Sequence, residues 1–222
     1  HRIGRYRLQS KLILTVCAVL IAFPTLFFFF FEFTDGTVGQ RLLDAFFQTV
    51  TPRTAGFNTV DLAAMQGASR AIMVVLMLIG GASGSTAGGM KVNTVGVLFA
   101  NVGAIFRRRN EVEAFGRRID PATVRQAAVI VTMYLTLFIG GGVAISAIEG
   151  LPIGSCLYES ASAVATVGLT LGITPSLGVA SQLILTVQMY LGRVGGLTLI
   201  YAAVSSKKSG NAKLPQERIT IG

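Results

Sequence analysis

Apolar positions along this chain gather into blocks of two lengths. Residues 12–33 are interrupted only by Thr15, Pro24, Thr25 and Glu32, which is long enough for one membrane span of roughly 20 apolar residues. Residues 122–148 form a second such block, and Pro121 is well placed to start its helix. Two shorter half-apolar runs, 40–50 and 153–164, predict helices too short to cross a bilayer. The first places Leu42, Leu43, Ala45, Phe46 and Phe47 on its apolar side. Each short run leads into a Thr-x-Gly segment, Arg53-Thr54-Ala55-Gly56-Phe57 and then Ala165-Thr166-Val167-Gly168-Leu169-Thr170. Each segment is followed by a polar stretch and a further apolar passage, 70–106 and 181–204. A short helix ending in irregular Thr/Gly backbone between two spans is the pattern of a re-entrant loop. Such backbone is tolerated at membrane depth only where protein buries it or where it lines a water-filled path.

The two halves repeat. Gly56 and Gly168 are 112 positions apart (168 − 56), and the same offset pairs Thr54 with Thr166, Met77 with Met189, Gly80 with Gly192, Gly84 with Gly196 and Thr86 with Thr198. Aligned this way the halves superimpose without a gap, a duplicated span–pore-helix–loop–span unit. The predicted organisation is a first unit over residues 1–111, a second over 112–204 and a polar cytoplasmic tail over 205–222. The first unit's second span carries Gly80-Gly81-Ala82-Ser83-Gly84-Ser85-Thr86-Ala87-Gly88-Gly89 at its middle. Glycine costs about 1 kcal/mol in a helix interior, so a break is expected there. Gly192 to Gly196 is expected to lie in an otherwise continuous last helix.

Composition agrees with the bilayer reading. The chain has 222 residues, 52% hydrophobic and only 13% charged, whereas soluble domains carry about 25% charged residues. The formal net charge of +9 would suggest nucleic acid on a soluble protein. Here fourteen of the nineteen basic residues lie in three segments between the apolar blocks: Arg2, Arg5, Arg7 and Lys11; Arg107, Arg108, Arg109, Arg117, Arg118 and Arg125; Lys207, Lys208, Lys213 and Arg218. A parallel duplication of units that cross twice puts all three on the cytoplasmic side, as the positive-inside rule asks. Nucleic-acid binding is therefore set aside. Cys17 and Cys156 suggest neither a disulfide framework nor a metal site, and the only histidine is His1.

Each candidate site has a structural counter-reading. The twin loops supply carbonyl and hydroxyl oxygens that can replace a cation's hydration shell, or they are ordinary turns. Residues 80–89 do not fit a phosphate loop, because Met90 separates Gly89 from Lys91. They fit either a small-xxx-small helix contact or an irregular gating loop, the gate being favoured for residues 85–89. Gly81-Ala82-Ser83-Gly84 matches the segment around the nucleophile of rhomboid proteases, but that serine needs an embedded base and none is present. Lys91 and Arg193 lie in apolar passages, where a charge costs about 2.5–3.5 kcal/mol or more and is usually partnered or functional. Arg193 is expected to contact the glycine loop, and Arg53 to bond its own loop's backbone. Glu149 and Glu159 either draw cations or serve as solvated or capping groups, and their sequence context leaves these open.

Taken with Thr51-Pro52 and Asn58-Thr59, with Gly192-Arg193-Val194-Gly195, and with the tail Pro215-Gln216-Glu217-Arg218-Ile219, these motifs resemble the Trk/Ktr/HKT superfamily of potassium transporters, most nearly the KtrB-type membrane subunit. The resemblance covers essentially the whole chain. It implies an all-α membrane protein of the bacterial cytoplasmic membrane, with four units around one pore and this chain as units three and four. Thr54, Ala55, Gly56 and Phe57 with Thr166, Val167, Gly168 and Leu169 would supply two of four filter strands. K⁺ would sit at Thr54, Gly56, Thr166 and Gly168. Gly81, Ser83, Gly84, Ser85, Thr86, Gly88, Gly89, Lys91 and Arg193 would form the gate. The resemblance further implies a homodimer on a cytoplasmic nucleotide-binding ring, with Na⁺ a candidate coupling ion. Gly196 stands where members of the family often have proline. Two loops cannot enclose an ion, so either an N-terminal half is missing or a second copy completes the pore, the first being favoured. The rival class is a non-transporting membrane scaffold whose glycines serve only helix contacts.

Overall fold

The computed structural model describes residues 6–109 and 111–195, and these are predominantly helical. Helix α1 (Leu8–Phe27) contains Pro24, which has no N–H to give, and beyond it the chain widens into one π turn, Phe28–Glu32. Arg41 uses the carbonyls near that turn: its Nε donates to Phe33 O at 2.6 Å and its Nη2 to Phe29 O at 2.9 Å. Its guanidinium also lies 4.6 Å from the Phe29 ring centroid. The span thus begins four residues before the expected Leu12 and runs for 25 residues, Leu8–Glu32. The short helix α2 (Val38–Val50) follows, its first turn capped by Thr37.

The second passage is two helices, α3 (Gly67–Leu78) and α4 (Val92–Phe106), with the glycine-rich segment between them. At about 1.5 Å per residue, neither reaches across a hydrocarbon core of about 30 Å alone. The basic connection departs from the all-α expectation. It holds a two-residue antiparallel pair, β1 (Glu113–Ala114) with β2 (Arg117–Arg118), turned by Phe115 and Gly116 at φ 52° and 71°. Ion pairs Arg109–Glu113 (2.9 Å) and Arg118–Glu111 (2.8 Å) flank it.

Asp120 caps helix α5 (Pro121–Glu149) by accepting from Ala122 N at 3.0 Å, and Gly150 closes it in the left-handed region at φ 66°. Then come α6 (Ile153–Val164) and α7 (Val179–Val194). Helix α7 ends at Val194, where Gly195, at φ 86° and ψ 141°, turns the chain off the helical path; residues 196–204 of the expected span lie outside the described residues. The expected continuous helix through Gly192 to Gly196 is therefore overturned at Gly195. Gly196, Thr198, the tail 205–222 and its Pro215-to-Ile219 motif lie outside the described residues.

The duplication is visible in the caps. Glu32 accepts from Ser69 Oγ at 2.5 Å and Gln66 N at 3.3 Å; Glu149 accepts from Ser181 Oγ at 2.5 Å and Gly178 N at 2.9 Å. The capped groups are 112 apart (181 − 69 and 178 − 66), but the carboxylates are 117 apart (149 − 32). The gap-free superposition is thus corrected for the front of each unit. The first unit has five more residues between its carboxylate and its cap, a separation of 34 against 29.

Helix α6 is enclosed by α3, α5 and α7, whereas α2 packs on α1 and its π turn. The core lies mainly between α3 and α6, with Met73, Leu76, Met77, Tyr134, Tyr158 and Val164 shut off from solvent. The long apolar windows of α1 and α5 are only 22% and 28% buried. A core helix of a soluble protein would bury most of its window; these face outward, as in lipid.

Helix α5 approaches α6 at Gly142, where an added Cβ would lie 3.1 Å from Leu157 Cα. Gly142→Val should destabilise the detergent-solubilised protein by about 1–3 kcal/mol, the usual effect of overpacking, read as a lowered thermal melting point against Gly140→Val, whose added Cβ meets nothing within 4 Å.

Candidate functional site

Beyond the C-terminal ends of α2 and α6 the two loops take matching backbone conformations. Thr54 and Gly56 have φ of 66° and 75°, and Thr166 and Gly168 have 56° and 91°. The four positions are pairwise 112 apart. Positive φ at alternate residues lets successive peptide groups face one side. A β-branched residue there is an outlier, held at about 1–3 kcal/mol only where the surroundings over-determine it. Two threonines carry that strain at equivalent places.

The loops also meet. A Cβ built on Gly56 would collide with the Val167 carbonyl, 3.3 Å from its carbon and 3.9 Å from Gly168 Cα. Local bonds set each turn. In the first, Ala55 N and Gly56 N donate to Thr51 O at 3.2 and 3.1 Å, and Thr51 Oγ1 donates to Phe57 O. In the second, Val167 N donates to Ser162 O at 2.9 Å and Gly168 N to Ser162 Oγ at 3.2 Å. Thr166 Oγ1 is buried with no hydrogen-bond partner among the described residues. Thr54, Gly56 and Thr166 are half-buried, whereas Ala55, Phe57 and Gly168 are exposed. A neutral hydroxyl with strained carbonyls beside it is a ligand set for a hard cation of low charge.

Residues 81–89 form a loop with a laced neck. Ile79 and Met90 pair in parallel, and Gly80 N donates to Met90 O (2.8 Å), Met90 N to Leu78 O (3.0 Å) and Val92 N to Gly81 O (3.1 Å). Side chains take up other backbone oxygens. Lys91 Nζ donates to Ser85 O at 3.1 Å and to Ala87 O, Arg193 Nη1 to Thr86 O at 2.8 Å, and Arg53 Nη2 to Gly80 O at 3.2 Å. Arg53 thus bonds the neck of the glycine loop, with Cys17 Sγ 3.6 Å away, instead of its own loop's backbone. The loop lies against the second Thr-x-Gly turn, since a Cβ on Gly88 would fall 2.7 Å from Ala165 O and 2.9 Å from Thr166 Cγ2. Gly84 meets nothing within 4 Å, and Gly89 has φ 70°.

A groove of about 930 Å³ runs from Thr170 and Thr174 past residues 166–169 to Arg193, and a cavity of about 460 Å³ bounded by Thr86, Lys91 and Arg193 lies beside it. Ser83 Oγ accepts from the Asn93 amide at 2.8 Å; an amide is no general base. Asn93 and Thr174 were not foreseen, and Thr170 was expected only as the last residue of the second loop. Only polarity close to a loop marks them, and many bystanders share it. Glu149 caps α7, and Glu159 accepts from the segment after the second loop.

The family model of the TrkH cation transport proteins matches residues 8–213, so the chain belongs to that family. It is 37% identical over 233 residues to the potassium/sodium uptake protein NtpJ of Enterococcus hirae, covering 100% of this chain and 52% of that one. It is 36% identical over 229 residues to the Ktr system potassium uptake protein B of Bacillus subtilis, covering 100% and 51%. Among solved structures, the potassium transporter TrkH from Vibrio parahaemolyticus matches with a TM-score of 0.70 at 22% identity, over 88% of this chain and 44% of that one, which speaks for the fold alone. The chain spans about half the length of the curated relatives it matches. It is a membrane protein of a cation-transport family.

Gly88→Val should push the glycine loop off the strand. Amide exchange at Gly80, Met90 and Val92 should quicken about tenfold or more, equivalent to ~1.4 kcal/mol of local stability; unchanged exchange would mean the loop does not rest on Thr166.

Proposed function

We propose that the chain supplies two of four quarters of a K⁺ pathway, with residues 54–57 and 166–169 as filter strands and residues 81–89 as the gate beneath them. K⁺ would be held by oxygens at Thr54, Gly56, Thr166 and Gly168. The observation that carries this reading is the matched pair of positive-φ Thr-x-Gly turns in direct contact. It is supported by membership of the family and by relatives named as potassium uptake proteins. A scaffold whose glycines only pack helices gives no reason for two threonines to hold strained backbone, and no observation favours it.

The gate closes the path from below because its carbonyls are tied by two cations, Lys91 and Arg193. Both charges stand beside the groove, where they oppose a cation's passage at the same time as they fasten the loop. Opening therefore needs the loop and its fixed charges to leave together. The units flanking this chain complete the ring of oxygens. In this reading the protein sits in a bacterial cytoplasmic membrane as a dimer on a nucleotide-binding ring, with Na⁺ the candidate coupling ion, in keeping with the potassium/sodium name of one relative.

Two flux measurements on the full-length transporter test the assignment. Gly168→Ser forces a side chain onto φ 91°, at about 1–2 kcal/mol of strain, and should cut the K⁺-over-Na⁺ uptake ratio by roughly tenfold; an unchanged ratio removes the filter assignment. Deleting residues 85–88 should raise K⁺ flux, and Arg193→Ala should raise it in the same direction. Lower flux from protein of normal abundance would show that the loop does not close the path.

A further inference from the structure

The second filter strand has an anchor that the first lacks. Glu159 lies on α6, is 4% exposed, and its carboxylate accepts three hydrogen bonds from the segment that follows the strand. Oε1 takes Thr170 Oγ1 and Leu171 N, both at 2.8 Å, and Oε2 takes Thr174 Oγ1 at 2.6 Å. Thr170 Oγ1 lies 3.1 Å from Thr174 Oγ1 and also accepts from Gly172 N at 2.9 Å. The result is a closed polar ring around one carboxylate, two residues past Gly168, at the end of the groove remote from Arg193.

The repeat provides an internal control. At the 112 offset Thr170 corresponds to Asn58, and both close the same two-residue turn, since Val60 N donates to Asn58 Oδ1 at 3.3 Å as Gly172 N does to Thr170. Counted from the matched turns at the offset of 112, however, Glu159 falls opposite Phe47 and Thr174 opposite Leu62. The turn belongs to both units; the carboxylate and its second hydroxyl belong to one. A buried acceptor with three donors over-determines the backbone it holds, and residues 166–168 are the strained backbone next to it. Its negative charge also lines the groove beside residues 166–170, where it favours a nearby cation.

We infer that Glu159 is a positioning residue for K⁺ at the second filter strand, fixing the strand's outer end through Thr170, Leu171 and Thr174 and favouring cation entry there. This rests on the potassium-pathway reading above. The carboxylate acts through the backbone it holds; it does not touch the ion itself.

The test is saturable uptake of K⁺ and Na⁺ by the full-length transporter in membrane vesicles, with variant abundance measured in the same membranes. Glu159→Gln keeps size and part of the bonding but removes the charge. It should raise KM for K⁺ roughly tenfold, the scale of a lost hydrogen bond to a charged group, by more than it lowers Vmax, and should narrow the K⁺/Na⁺ ratio. Thr170→Val with Thr174→Val leaves the carboxylate but cuts two of its bonds; it should narrow the ratio as well, with a smaller rise in KM. The matching change in the first unit, Phe47→Leu, should move neither. A fall in Vmax with KM and the ratio unchanged in both Glu159→Gln and the double threonine variant would make Glu159 a folding element only and overturn the inference. If Glu159→Gln fails to accumulate, the double threonine variant decides alone: an unchanged ratio overturns the inference, a narrowed one supports it. Wild-type vesicles without saturable K⁺ uptake would instead defeat the potassium reading itself, so the two failures are separable.

Discussion

Backbone that leaves the helix inside a bilayer has no water to bond, and every peptide group must be answered by protein. That constraint governs the centre of this molecule. Between α3 and α4 the chain departs from the helical path for thirteen positions, 79–91. Its neck is closed by backbone pairs across Ile79 and Met90. Arg53 meets a carbonyl at the neck, and Lys91 and Arg193 meet carbonyls beyond it. Three cations in an apolar setting would be costly alone; here each has carbonyl oxygens waiting, and the carbonyls would be costly without them. Charge and irregular backbone stabilise one another, and both can then be kept against the second Thr-x-Gly loop.

The same exchange explains why glycine recurs where the elements touch. Gly88 faces Thr166, Gly56 faces the Val167 carbonyl, and Gly192 faces the backbone of Val164, 2.8 Å from the carbonyl carbon by way of an added Cβ. Gly56 and Gly192 bring backbone against backbone, and Gly88 is pressed against both the Ala165 carbonyl and the Thr166 side chain, which no larger side chain permits. The loop, the two strands and the last helix are therefore coupled by direct main-chain contact. A shift of residues 81–89 is felt directly at the Ala165 carbonyl and at the Thr166 side chain.

Much of this was legible in the sequence because it follows from patterns of period and spacing. The two long spans, the two short helices and the break at the glycine run came from block length and glycine cost. Contact between Arg193 and the glycine loop came from the expense of a buried charge. What escaped depends on dihedrals and on partners distant in sequence. Threonine has no preference for positive φ, so Thr54 and Thr166 signal nothing of their strain until their surroundings are built. The strand pair at Phe115-Gly116 hides in a run read only for its charge. The five extra residues in the first unit were invisible because the matches all lay at or beyond the loops, whereas Glu32 and Glu149 lie before them. Helix α7 was extended too far because Val194-Gly195 looks no different from glycines that helices tolerate.

The packing of the two short helices also carries an argument about arrangement. Helix α6 is covered on one side by α3, which belongs to the other unit; the second span of one unit thus shelters the short helix of the next. Among the described residues no second span lies over the outer side of α2, where Leu42, Leu43 and Phe46 are 51%, 63% and 48% exposed. If the rule linking α3 to α6 is repeated around a ring, as the proposed four-unit pathway requires, the missing cover is the second span of a unit ahead of α1. Helix α7, with Leu183, Val187 and Tyr190 exposed, then stands where it would cover a short helix in turn. In the proposed ring each short helix would be finished by its neighbour as α6 is by α3, and closure of the ring would leave none of those faces open.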